Sequence, residues 1–141
     1  MKSIPRFHLA FPVHDLNEAR TFYVDILGCN TGRESDTWID FDLYGHQIVA
    51  HLSPGDCSPV ATNPVDKDNI PCRHFGLILD WRKWEKLKNR IKKLNHGFLV
   101  EPKIRFKSKP GEQGTFFIND PSGNALEFKT FKKDSMVFEK S

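Results

Sequence analysis

No stretch of the chain approaches the roughly 20 consecutive apolar residues that a membrane-spanning helix needs. The N-terminal MKSIPRFHLAF has neither the apolar core nor the small-residue cleavage site of a secretory signal, so a cytoplasmic location is expected. Cysteine is scarce: Cys29, Cys57 and Cys72 are odd in number and far apart, which excludes a CxxC zinc knuckle and a disulfide framework and leaves reduced structural thiols. An excess of one charge is missing too. Twenty-one Lys and Arg against 18 Asp and Glu leave a formal +3. The basic residues gather in WRKWEKLKNRIKK, FKSK and FKTFKK, the pattern of solvated faces rather than of a continuous stripe with a reading motif. Neither nucleic acid nor a membrane is an expected partner.

What the chain has is enough length for one domain. Its 141 residues bury about two thirds of the unfolded surface on folding. Twelve phenylalanines supply an aromatic-rich interior or pocket. The expected organisation is a single domain over 1–141, with a first repeat at 5–54, a connecting loop at 55–71, a second repeat at 72–132 and a tail at 133–141.

The two repeats follow from one order of events met twice. RFHLAFPV alternates as a strand with His8 and Ala10 on one face; Asp15 and Glu18 then have the spacing of a helix cap, Leu16, Ala19, Tyr23, Ile26 and Leu27 recur at helical period, and Gly28 stands where a helix would end. TWIDFDLYG and HQIVAHLSP read as strands joined at Gly45 and His46. After the Pro- and Asp-rich loop, RHFGLIL opens a second strand with His74, Trp84, Leu87, Ile91 and Leu94 share a helix face, and Gly97 is expected to stop it. FLVEPKIRF, GTFFIND and NALEFKTF complete the set. His8 and His74 are 66 residues apart and the two helix-ending glycines 69 apart, as a duplication requires. The fold class expected is α+β, two βαβββ modules forming a cupped, barrel-like mixed sheet.

Matched positions carry the chemistry. His8 and His74 open the first strands of the two modules, and Glu127 sits in the last strand of the second. If these three converge, two imidazoles and one carboxylate make the face that holds a divalent ion while leaving coordination positions open. Alternation puts Glu127 with Ala125 and Lys129, opposite Leu126, Phe128 and Thr130, so its carboxylate faces a cavity and not the core. Gln47, Val49 and His51 also share a face. His51 is thereby a candidate acid or base near the open positions, with Gln47 beside it. His14, His46 and His96 fall in turns or caps, where solvation is expected.

The stretches FHLAFPVHDLNEARTFYVDILG, RHFGLIL and FFINDPSGNALEFK resemble the vicinal oxygen chelate superfamily, which includes glyoxalase I, fosfomycin-resistance transferases, bleomycin-resistance proteins and extradiol dioxygenases. The resemblance runs to about Lys132 and implies His8, His74 and Glu127 as metal ligands. It also marks a departure. Glyoxalase I has a fourth ligand, a glutamate in the last strand of the first module, and aligning Gly45 with Gly123 puts Val49 there, which argues against glyoxalase chemistry. HFGLILDW, EPKIRFKSKPGEQGTFF and DPSGNALEFK are similar to a subgroup of small single-module, dioxygenase-like proteins.

The implied function is a metal-dependent oxidoreductase in which Fe(II), with Mn(II), Zn(II) or Ni(II) as alternatives, chelates two adjacent oxygens of a small catechol-like or hydroxylated substrate. Trp38, Phe41 and Phe116 are expected as walls of an apolar pocket, with Gln47, Arg105 and Gln113 as further substrate-binding groups. The resemblance also implies a homodimer, in which a partner chain would supply part of each site. A metal-dependent transferase or lyase uses the same ligands, and a metal-free drug-sequestering protein is the alternative of a different class.

Overall fold

The computed structural model describes residues 3–58, 61–65 and 67–140. Residues 59, 60 and 66 of the expected loop, and residues 1, 2 and 141, lie outside the described residues. The chain divides into two compact units: one is Met1–Ser58 with Asp120–Asn124, the other Pro59–Asn119 with Ala125–Ser141. The α+β class and the two strand–helix–three-strand modules hold: the described residues form two four-stranded sheets and a two-stranded ribbon, with no closed sheet among them. Among the described residues no helix is long and apolar enough to cross a membrane.

In the first unit β1 (His8–Val13) is followed by a helix α1 over Leu16–Arg20 that widens into π-helical turns at Thr21–Ile26. The carboxylate of Asp15 accepts from the amide of Glu18 at 2.9 Å and closes its N-terminus, a cap of the kind that contributes about 1 kcal/mol. Gly28, at φ 80°, ends it. The Glu18 side chain does not return the bond to Asp15. It pairs instead with Nε2 of His14 at 2.6 Å.

Then come β2 (Asn30–Glu34), β3 (Trp38–Leu43) and β4 (His46–Leu52), in the order β1-β4-β3-β2, with β1 parallel to β4. The sequence did not mark β2. NTGRE is exposed throughout and has no apolar face to give it away. The hairpin turn is made by Tyr44 and Gly45, both at positive φ, rather than by Gly45 and His46.

Phe22, Tyr23, Ile39, Phe41, Leu43 and Ile48 are fully buried between α1 and this sheet. Tyr23 stacks on Phe41 at 5.0 Å and donates its hydroxyl to Asp120 at 2.8 Å. Asp120 also accepts from the amides of Ser122 and Asn124, which ties down the turn DPSG. Cys29 is buried here, and burial, helped by Asp42, pushes its thiol up to about 12, so it is inert.

In the second unit the connection expected as a loop has structure of its own. Residues 54–56 make a turn of 3-10 helix belonging to the first unit, and β5 (Thr62–Val65) pairs with β6 (Asp68–Pro71) as a two-stranded ribbon. The main sheet runs β7-β10-β9-β8, from β7 (His74–Ile78), β8 (Val100–Arg105), β9 (Gln113–Asn119) and β10 (Ala125–Phe131), with β7 parallel to β10.

Helix α2 (Trp81–Lys93) is capped by Asp80, which accepts from the amide of Lys83 at 2.8 Å. Its buried stripe is Trp84, Leu87 and Ile91. Leu94, expected on that stripe, is 49% exposed because the helix has already ended. Asn95 at φ 57° makes the left-handed stop two residues before Gly97. Trp84 donates its indole N–H to the carbonyl of Phe128 at 2.9 Å and packs on Phe116, so α2 is fastened to the sheet by both a bond and an aromatic cluster. Truncation of such a buried tryptophan typically costs about 3–5 kcal/mol.

Candidate metal centre

Strand pairing in the second unit builds half of the site. His74 lies opposite Ala125 in the parallel pair, Gly76 opposite Glu127, and Phe117 of β9 opposite Glu127 on its other side. One sheet face therefore carries His74, Glu127, Lys129, Thr115 and Phe117. Leu126, Phe128 and Thr130, with no exposed surface, point to the opposite face as the alternation requires.

His74 Nε2 lies 3.3 Å from Oε1 of Glu127. Thr115 donates its hydroxyl to Oε2 of the same carboxylate at 2.5 Å. On its other side the His74 ring donates from Nδ1 to the carbonyl of Pro71 at 2.8 Å, and its edge meets Phe117 at 5.1 Å between centroids. A carbonyl can only accept, so Nδ1 carries a proton and Nε2 is the atom offered toward Glu127.

The hydrogen bond to Glu127 holds the His74 pKa above the ordinary histidine value against the opposing effect of burial. Burial pushes Glu127 up, but bonds from His74 and Thr115, with the charge of Lys129 behind them, outweigh it and hold the carboxyl below its usual range. The charged forms are thus favoured as a pair.

Gly76 permits this closeness. A Cβ at that position would lie 1.7 Å from the carbonyl oxygen of Glu127, so β7 and β10 meet here in a way only glycine allows.

The first unit has the corresponding positions. His8 opposite Gln47 matches His74 opposite Ala125, and Ala10 opposite Val49 matches Gly76 opposite Glu127. Val49 therefore stands at the counterpart of Glu127, as aligning the two turn glycines suggested. It is 6% exposed and offers no donor. His8 is exposed, and its Nδ1 is bonded to Oε1 of Gln47 at 2.8 Å.

Beside it runs a cavity of about 410 Å³ bordered by Arg6, Arg33, Asp40, Asp42 and Gln47. His51 is exposed and in register with Trp38 and Pro12. Trp38 is half-buried.

Several expected lining groups are engaged elsewhere. Phe116 has no exposed surface and packs against Trp84, Phe98 and Phe128 beneath α2, because its strand position faces the helix. Phe41 borders the cavity, but its ring is buried and stacks on Tyr23. Arg105, 4% exposed, clamps the ribbon by donating to Asp68 at 3.0 Å and to the carbonyl of Val65 at 3.3 Å. Gln113 is half-buried and donates to the carbonyl of Gly111.

The three remaining histidines are bonded rather than merely solvated. His14 meets Glu18 and Ser122, His46 accepts from the amide of Phe7, and His96 meets the carbonyl of Asn119. Thr115, Asp40 and the Pro71 carbonyl were missed by sequence reasoning. Thr115 was legible in principle, since it lies two residues from the position opposite Glu127 on the same face.

The donor chemistry fits a divalent ion: imidazole nitrogens with their second nitrogen already committed, and a carboxylate held in its charged form. The group assembled among the described residues is the pair His74 and Glu127. No three His, Cys, Asp or Glu side chains there form a group able to hold a metal ion. His8 belongs to the other unit.

Duplicated modules that each begin with a strand-opening histidine, one of them ending in a protected carboxylate, define a class of protein. The chain belongs to the Glyoxalase/Bleomycin resistance protein/Dioxygenase superfamily, whose profile matches residues 7–128. A solved glyoxalase/bleomycin resistance protein/dioxygenase from Alicyclobacillus acidocaldarius is 36% identical, with a TM-score of 0.79 over 95% of this chain and 96% of that one. Two more distant structures share the fold. The fosfomycin resistance protein FosX from Listeria monocytogenes is 12% identical, with a TM-score of 0.68 over 97% and 99% of the chains. Lactoylglutathione lyase from Agrobacterium tumefaciens is 15% identical, with a TM-score of 0.64 over 99% and 100%. No curated protein matches the chain.

Proposed function

We propose that the protein is a divalent-metal enzyme whose ion is held by His8, His74 and Glu127, and that it carries out dioxygenase-type oxidation of a small substrate with two adjacent oxygens. The observation that carries this reading is the His74–Glu127 pair, oriented on both sides by Pro71 and Thr115. Val49, apolar at the fourth-donor position, favours a three-ligand face over the four-ligand arrangement of glyoxalase I. Fe(II) bound there would supply Lewis acidity and adjacent open positions for the substrate oxygens and dioxygen.

The chain's own groups do the rest. Thr115 and Pro71 keep Glu127 and His74 from rotating, and Lys129, on the same face, offsets negative charge brought by a deprotonated diol. His51 takes or returns the hydroxyl proton at its imidazole, with Trp38 beside it as an apolar wall and Gln113 as a polar contact. We place the protein in the cytoplasm as a homodimer in which His8 of one copy completes the site begun by His74 and Glu127 of the other.

The test is anaerobic loading with Fe(II) followed by oxygen uptake in the presence of a series of catechols. Uptake matched to ring cleavage, absent in Glu127→Ala, supports the proposal. Metal binding without uptake for any vicinal diol sinks the dioxygenase reaction and leaves a metal-dependent transferase or lyase. Co-expressing His8→Ala with Glu127→Ala chains checks the sharing, since only a mixed dimer regains one complete site. A second reading, a metal-free binder of a small ligand, draws on the cavity beside Asp40 and Gln47. It would be favoured by a ligand seated there in protein that takes up no metal.

A further inference from the structure

The two strand-opening histidines occupy equivalent positions, yet the chain holds them by different means. His74 is fixed by a backbone carbonyl, that of Pro71. Among the described residues the partner of His8 is a side chain. Its Nδ1 meets the side-chain oxygen of Gln47 at 2.8 Å, and the amide nitrogen of Gln47 points to Oδ2 of Asp40 at 3.5 Å.

A glutamine amide can turn over and present either end, so by itself it does not decide which nitrogen of a histidine is protonated. Asp40 removes the ambiguity. An ionised carboxylate only accepts, so it draws the –NH2 end of Gln47 toward itself and leaves the carbonyl end for His8. Nδ1 of His8 must then be the donor, and Nε2 is left with its lone pair. Asp40 is 8% exposed and is held against β2, where a Cβ on Gly32 would stand 3.2 Å from the Asp40 Cβ, so the anchor of the relay is itself fixed.

We infer that Gln47, oriented by Asp40, is a positioning residue that sets the Nδ1–H tautomer of His8 and presents its Nε2, doing for the first module what the Pro71 carbonyl does for the second. Gln47 thereby acts on His8 rather than on the substrate. The consequence for metal affinity rests on the metal reading above; the tautomer does not. Outer partners of this kind change metal affinity by roughly 10- to 100-fold when removed.

The experiment uses the full chain in two arms. In metal-free protein at about pH 8, where an ordinary histidine is neutral, long-range nitrogen–proton NMR of the His8 ring reads the tautomer directly. Wild type is expected to be Nδ1–H, Gln47→Leu and Asp40→Asn to give a mixture, and Asp40→Asn/Gln47→Glu to restore Nδ1–H, because a glutamate can only accept from His8 while an asparagine can donate to it. In the second arm, Zn(II) affinity falls 10- to 100-fold in Gln47→Leu and recovers in the double variant. A merely structural Gln47 would not give the recovery. An Nε2–H ring in wild type, or a tautomer or Zn(II) affinity that Gln47→Leu leaves unchanged, overturns the inference. Wild-type protein that binds no Zn(II) refutes the metal reading instead, and the ring measurement then decides this inference alone.

Discussion

Thr115 donates its hydroxyl proton to Oε2 of Glu127 at 2.5 Å, which leaves Oε1 to face His74. Thr115 has no exposed surface, so water does not replace it. Thr115→Val keeps the shape and removes the donor, leaving one carboxylate oxygen short of a partner. The loss should be about 1–3 kcal/mol in chemical denaturation, the range for stranding a buried polar group. The Glu127 carboxyl should also titrate higher, readable by NMR. A neutral substitution would mean that Thr115 does not orient the carboxylate.

Gly76 and Gly97 make a paired prediction. A Cβ at Gly76 would meet the Glu127 carbonyl at 1.7 Å, whereas nothing lies within 4 Å of one at Gly97, whose φ is not positive. Gly76→Ala must push β7 off β10 and should reach or exceed the roughly 1–3 kcal/mol of ordinary overpacking. Gly97→Ala should stabilise by about 0.4–1 kcal/mol through the unfolded chain. Denaturation curves of the two variants check both signs.

The ribbon β5–β6 should loosen in acid. Lys103, and after it Arg105, hold the Asp68 carboxyl below its usual range against slight desolvation. A folded-state pKa below the unfolded value of about 3.9 contributes stability that is present above that value and is lost as pH falls through the folded pKa. Amide exchange in residues 62–65 and 68–71 should therefore accelerate below about pH 4. Asp68→Asn should show the fast exchange already at neutral pH. Protection that does not change with pH would mean that the ion pairs do not hold the ribbon.

Much of the architecture could be read from period and caps. The alternation around Glu127, the buried stripe Trp84, Leu87 and Ile91, and the cap Asp15 are local, and local rules located them. What escaped depends on non-local pairing. Strand β2 has no apolar face and exists because β3 pairs with it. Arg105 sits in a strand facing a ribbon that the loop-like composition of 55–71 concealed. Phe116 was assigned to a pocket by its chemistry, although its parity in β9 puts it under α2. Asn95 took the helix-ending role given to Gly97 because the helix needed its left-handed residue sooner. For the site itself, residue types suggested His8, His74 and Glu127, while the bonds that the Pro71 carbonyl and Thr115 make to His74 and Glu127 become visible only in the folded chain.

The central claim is that His8, His74 and Glu127 jointly hold one ion. Elemental analysis of anaerobically purified protein tests it most directly, with wild type beside His8→Ala, His74→Ala and Glu127→Ala, each confirmed folded by circular dichroism. The account predicts one divalent ion per chain in wild type and its loss in all three variants. Full metal content in His8→Ala would contradict it.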